Sequence, residues 1–257
     1  MIDAHCHLID SKYQDSGIQR IVNEARESGV EMIANSTGLT ESRKTVEIAE
    51  KINGIWVCVG VAYEPGYENL EKTKNELRKL SEHSKVIGVG EAGLNYYAGM
   101  SEELKKYQRK LFEMHLELAA ELDIPIQIHN READEEIYQI ISKVQNPMSN
   151  KILLHCFSGS VEFMRQMAKI GCYFSFGGMI TYRKNEALRE AVRQVPDSQI
   201  LLETDSPYLP PEPLRGTINT PVNVKIVAER TAEIRGIPVS ELESLTTENA
   251  RRLFKLP

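Results

Sequence analysis

The feature that most constrains this chain is a regular alternation of short β-rich runs with longer amphipathic ones. Eight runs read as strands: Ile2–His5, Met32–Asn35, Ile55–Val61, Val86–Gly90, Ile124–Ile128, Ile152–His155, Cys172–Ser175 and Ile200–Glu203. Eight helical patterns follow them: Ile18–Ser28, Glu41–Lys51, Glu68–Glu82, Glu102–Leu122, Ala133–Val144, Val161–Ile170, Glu186–Val195 and Pro221–Ile234. Over 257 residues one unit recurs about every 32 positions. Strands alternating with helices imply a parallel sheet. Eight such repeats match a closed TIM-type (β/α)8 barrel, with an open doubly wound sheet as the alternative. Ser101 before Glu102-Glu103 is an expected helix start, and Gly29, Gly171 and Gly236 are expected helix ends. A last helix over Ser240–Leu253 is expected on the barrel exterior. No composition break marks a boundary, so residues 1–257 are expected to form a single domain.

Composition narrows the function classes. Apolar residues make up 41% and charged residues 26%, and no low-complexity tract appears, which excludes disorder as the main state. The longest mainly apolar run, Ile55–Tyr63, is half of what a spanning helix needs. The start, Met1-Ile2-Asp3-Ala4-His5, carries no basic and apolar targeting pattern. Cys6, Cys58, Cys156 and Cys172 form no Cys-x-x-Cys pair and are read as reduced thiols of a cytoplasmic protein. Lys and Arg number 31 against 37 Asp and Glu, a formal charge of −6. That balance disfavours sequence-blind binding along nucleic acid, though not the gripping of a strand end at a local site. No obligatory protein partner is implied.

The chemistry collects at strand ends. His5 and His7 are two apart on a strand and point to one side, with Cys6 opposed. Val89-Gly90-Glu91, Gln127-Ile128-His129, Leu154-His155 and Leu202-Glu203-Thr204-Asp205 end other apolar runs in metal-competent side chains. In a barrel those C-terminal ends meet at one mouth. The candidate ligands are then His5, His7, Glu91, His129, His155 and Asp205. They exceed one tetrahedral site and suit two divalent ions about 3.5–4 Å apart with a bridging carboxylate. The mixed N/O set favours Zn, Mn, Fe, Co or Ni and does not exclude Mg. Arg131, Arg215 and Asn219 are candidate phosphate contacts, and Tyr96, with Tyr97, a candidate stacking surface. Arg183 and Lys184 read as exposed basic residues, His83 and His115 as ordinary surface or interhelix histidines. Cys156, like Cys6, is expected to turn away from the mouth.

These residues carry a family resemblance. His5-Cys6-His7-Leu8, Gly90-Glu91-Ala92-Gly93-Leu94, Ile126-Gln127-Ile128-His129, Leu154-His155-Cys156-Phe157-Ser158-Gly159 and Glu203-Thr204-Asp205-Ser206-Pro207-Tyr208-Leu209 resemble the motifs of TatD-type metal-dependent deoxyribonucleases, within the amidohydrolase superfamily. The resemblance covers nearly the whole chain. It implies a distorted (β/α)8 barrel and a divalent-metal hydrolase, a DNase cutting phosphodiester ends exonuclease-fashion with activated water. It also implies one ion on His5, His7 and Asp205, a second on His129 and His155, and Glu91 bridging; the preferred metals are Zn, Mn or Mg. Asp205 and Glu91 are the candidate catalytic carboxylates, Asp205 as the base. Two departures stand out: Asn95 where the family has Asp, and Gly60-Val61-Ala62-Tyr63-Glu64-Pro65 where it has Gly-x-His-Pro. Two other readings stay open: hydrolysis of a small cyclic amide, ester or phosphoester, and a non-catalytic metal-binding barrel.

Overall fold

Each β-rich run forms a parallel strand, and the strands pair in chain order. The computed structural model describes residues 1–13, 15–143, 148 and 150–257. Its strands are β1 (Ile2–Cys6), β2 (Glu31–Asn35), β3 (Ile55–Val59), β4 (Val86–Asn95), β5 (Ile126–Arg131), β6 (Ile152–Leu154), β7 (Tyr173–Phe176) and β8 (Ile200–Leu202), in the order β1-β2-β3-β4-β5-β6-β7-β8. Between and after them run α1 (Asp15–Glu27), α2 (Leu39–Lys51), α3 (Leu70–Leu80), α4 (Glu102–Leu122), α5 (Asp134–Lys143), α6 (Val161–Lys169), α7 (Glu186–Gln194), α8 (Val224–Arg235) and α9 (Val239–Phe254). The expected last residue of the fifth helical run, Val144, lies outside the described residues. Local chemistry sets several boundaries: Ser101 and Ser160 side chains accept from the amides of Leu104 and Phe163, and Gly236 closes α8 at φ +67°.

The strands have two distinct faces. Ile2, Ala4, Ile33, Cys58, Leu153, Tyr173 and Leu201 form one buried cluster, while their neighbours Met32, Ala34, Val57, Ile152, Leu154, Ile200 and Leu202 join a second, larger cluster with the helices. Period-two alternation of this kind separates a barrel interior from the helix-covered layer. Ala250, Leu253, Phe254 and Leu256 belong to the interior cluster. Asn249 Nδ2 donates to Asp197 O and Ile200 O, Arg251 reaches Glu31, and Lys255 reaches Asp123, all at or before strand starts. The final helix therefore plugs the N-terminal opening of the barrel instead of lying on its exterior as expected. Its pattern of Leu253, Phe254 and Leu256 fits an end-plug because short strands leave interior space below them that needs filling.

The barrel is nearly closed. At the β1–β8 seam the Asp205 amide donates to His5 O at 2.9 Å and the His7 amide to Ser206 O at 2.7 Å. Lower down, the Asp3 carboxylate takes the Thr204 amide at 2.8 Å and its hydroxyl at 2.6 Å. The seam thus joins the first and last strands where three candidate ligands sit. β4 runs five residues past its expected end, because Ala92 through Asn95 keep pairing with Ile128 through Arg131 after an irregularity at Gly90-Glu91.

Candidate metal centre

Glu91 sits at the centre because backbones approach closely around it. A Cβ on Gly60 would lie 2.5 Å from Gly90 C, and one on Gly93, at φ +140°, 2.0 Å from His129 O. Only glycine permits both approaches. The carboxylate divides the histidines into two pairs. Its Oε2 lies 3.5 Å from His5 Nε2 and 3.4 Å from His7 Nε2, and its Oε1 lies 3.0 Å from His129 Nδ1 and 3.5 Å from His155 Nε2. Asp205 Oδ1 stands 3.4 Å from His7 Nε2 and 3.8 Å from His5 Nε2. The rings of His5 and His155 stack at 3.8 Å. All six candidate ligands therefore meet, drawn from β1, β4, β5 and the segments after β1, β6 and β8.

Supporting side chains orient these rings. His5 Nδ1–H donates to Gln127 Oε1 at 2.7 Å, and Gln127 is itself turned by Nε2 donating to Ala4 O at 3.0 Å. That tautomer leaves His5 Nε2 with its lone pair toward Glu91. His129 Nε2–H donates to Asn95 Oδ1 at 3.0 Å, leaving Nδ1 toward Glu91. Asn95, marked above as a departure, thus braces a candidate ligand. Gln127 stood inside a motif without an assigned role; its signal was a polar residue within an apolar strand, two positions before His129.

The charges are mutually adjusted. Burial opposes charge on Glu91, but His155, His129 and His5 hold its carboxyl well below the usual range. Burial likewise opposes charge on His7, yet Asp205 and Glu91 push it up to about 9. His155 is also raised, against its burial, by Glu91 and Glu203. Asp205 is lowered, against its burial, by His7 and its neighbours. Buried Glu91 and half-buried Asp205 thus hold protons on imidazoles that a cation would displace. Ligand atoms of His5, Glu91 and His155 lie within 4.8 Å of one another, as do those of His5, His7 and Asp205. Both ring nitrogens of His155 are buried with no hydrogen-bond partner. The donor set and these orphaned atoms fit a divalent metal ion.

The centre opens into a cavity of about 810 Å3 lined by His7, Glu91, His129, His155 and Asp205. Arg131, Lys44, Tyr63 and Tyr208 form its walls, with Asp10, Glu41 and Glu64 also lining it. Tyr63 tilts against the His129 ring at 4.7 Å. Tyr63 and Tyr208 stood inside quoted segments without an assigned role, and Lys44 has nothing local in the sequence to distinguish it from other surface residues.

Sequence likeness along the whole chain decides family membership. The family model of TatD related DNase matches residues 2–255. The chain belongs to the TatD-related DNase family. An uncharacterized metal-dependent hydrolase of Bacillus subtilis (strain 168), YabD, is 35% identical over the whole chain and 99% of its own length. YcfH of Escherichia coli (strain K12), with the same description, is 34% identical over 100% of this chain and 96% of its own. The crystal structure of YJJV, a TatD homologue from Escherichia coli, superposes with a TM-score of 0.91 at 24% identity, covering 100% of this chain and 98% of that one.

Three expected substrate contacts of the TatD-related chain fall elsewhere. Asn219 is fully buried, its Nδ2 donating to Thr204 O and Tyr208 O, so it braces the loop after β8. Tyr96 is buried with its hydroxyl on Glu136, joining the β4 end to α5. Arg215 is exposed, stacks on the Tyr182 ring at 4.5 Å and pairs loosely with Glu212. None of the three lines the cavity. Cys156 departs the other way: at φ +44° it is half-buried and lines the cavity, whereas Cys6 is buried in the outer cluster. His115 is no surface residue. It is fully buried, taking the Val61 amide on Nε2 at 3.2 Å and meeting Leu111 O with Nδ1 at 2.7 Å.

Proposed function

We propose that this metal-dependent hydrolase cleaves phosphodiester bonds at DNA ends. The observation that carries the reading is Glu91 with each oxygen facing a different histidine pair, Asp205 beside it, in a cavity also lined by Arg131 and Lys44. The family match supports the nuclease reading. Two ions, one toward His5, His7 and Asp205 and one toward His129 and His155, would be shared by Glu91. When bound, divalent ions supply Lewis-acid polarisation of the ester and acidify nearby water. Asp205 orients the attacking water and accepts its proton. Arg131, exposed and without an ion-pair partner among the described residues, holds the phosphate with Lys44. Tyr63 positions the substrate beside His129.

A second reading, a small phosphoester, ester or amide substrate, is favoured by one observation. Asp10, Glu41 and Glu64 line the same cavity and repel a long polyanion. The experiment is product analysis with metal-stripped protein reloaded with Mn2+, Zn2+ or Mg2+. The substrates are a 3′-labelled single-stranded oligonucleotide and a panel of amides and esters. Metal-dependent release of nucleotides is expected. An intact oligonucleotide with turnover of a small ester or amide overturns the DNase reading, and no turnover under any metal leaves only a binding barrel.

A further inference from the structure

Two of the centre's imidazoles place their outward nitrogen on a neutral amide oxygen: His5 on Gln127 and His129 on Asn95. His155 is different. Its outward nitrogen, Nδ1, faces Glu203 Oε1 at 3.9 Å, and both atoms are buried without a hydrogen-bond partner. Glu203 is fully buried, and its other oxygen takes the hydroxyl of Ser175 from β7. An ionised carboxylate out of water is costly unless both oxygens are served. Ser175 serves one, and the imidazole is what faces the other.

We propose that Glu203 is a positioning residue for His155. Its Oε1 accepts the Nδ1 proton and fixes the tautomer that presents Nε2 toward Glu91 Oε1. Reaching hydrogen-bond range requires an approach of roughly 1 Å. A carboxylate oxygen is a stronger acceptor than the amide oxygens of Gln127 and Asn95, so it holds the Nδ1 proton more firmly and strengthens Nε2 as a ligand. The inference rests on the metal-centre reading in one respect, that Nε2 is the nitrogen offered to the cation. Glu203 therefore does not touch substrate; it acts through His155.

The test uses the full chain loaded with Zn2+, with long-range 1H–15N NMR of His155 and chelator-competition titration. Wild type is expected to show Nδ1–H. Glu203→Leu is expected to lose that signature and bind Zn2+ about 10–100-fold more weakly, with metal-free thermal stability near wild type. Glu203→Gln keeps an acceptor oxygen and is expected to restore the Nδ1–H signature and part of the affinity, which a merely structural role would not produce. Unchanged Zn2+ affinity in Glu203→Leu overturns the proposal. Should that variant not fold, wild type decides: His155 carrying its proton on Nε2 overturns the proposal by itself. Wild type binding no Zn2+ overturns instead the metal-centre reading on which the inference rests.

Discussion

Asp205 enters the cavity from a left-handed backbone position, φ +54°, held by the His5 carbonyl on its amide and the Tyr208 amide on its carbonyl. Such a conformation costs a non-glycine residue about 1–3 kcal/mol and persists where surrounding contacts impose it. Here it aims a carboxylate at His7, which is the arrangement a proton acceptor beside a cation requires. Asn at this position keeps size and one oxygen but neither carries charge nor accepts a proton. Asp205→Asn is expected to lower kcat by roughly 10²–10⁴ under saturating metal, with a smaller change in KM because Arg131 and Lys44 remain. Steady-state kinetics across a metal titration checks this. Near-normal kcat at saturation removes Asp205 as the base.

At the scale of elements, the two ends of the barrel have different duties. The C-terminal ends of the strands carry the candidate ligands, while α9 seals the opposite end with apolar side chains. Phe254 is buried in the interior cluster and approaches Gly88 in β4, where an added Cβ would lie 3.6 Å from its ring. Phe254→Ala leaves a void that short strands cannot close. It is expected to destabilise the fold by about 3–5 kcal/mol while leaving metal affinity near wild type, since the plug and the centre lie at opposite ends. Urea denaturation and a metal titration on the same variant separate the two effects. A loss of metal affinity as large as the loss of stability would mean that the barrel ends are coupled.

For the molecule as a whole, His115 gives acid sensitivity outside the metal centre. Burial pushes its pKa down from 6.5 to about 4, and both ring nitrogens are already committed, one as donor to Leu111 O and one as acceptor from Val61. Protonation would set Nε2–H against the Val61 N–H. In the unfolded chain His115 titrates near its ordinary value, so between about pH 6.5 and 4 the unfolded state binds more protons. Its contribution is fully present above that window and is lost as pH falls through it, by up to roughly 3 kcal/mol. The slope of stability against pH should therefore be shallower in His115→Gln than in wild type across the window, measured by urea denaturation of metal-free protein. Parallel slopes in the two proteins would contradict the buried, neutral histidine. The affected segment, Gly60 to Tyr63, leads into the cavity, so loss of this contact loosens one wall.

The barrel and its candidate ligands were legible in the sequence because both are periodic. Apolar runs declare strands by length and alternation, and each candidate ligand interrupts such a run at its end, so His5, His7, Glu91, His129, His155 and Asp205 stand out without any knowledge of distance. The strand length of β4 was not legible, because Gly90 and Gly93 interrupt the apolar run and only their pairing with β5 carries the strand on to Asn95. Everything that depends on contacts far apart in the chain was decided by the tertiary structure. Asn219 and Tyr96 are polar residues near motifs, and only their burial shows their hydrogen bonds spent on the fold. Gln127 and Glu203 are the converse: quoted inside motifs but given no role, they meet His5 across 122 positions and His155 across the β6–β8 segments. The same holds for α9, whose pattern shows an apolar face without saying which surface receives it. Periodicity is a local property and survives in one dimension; the partner of a buried polar group is a fact of three.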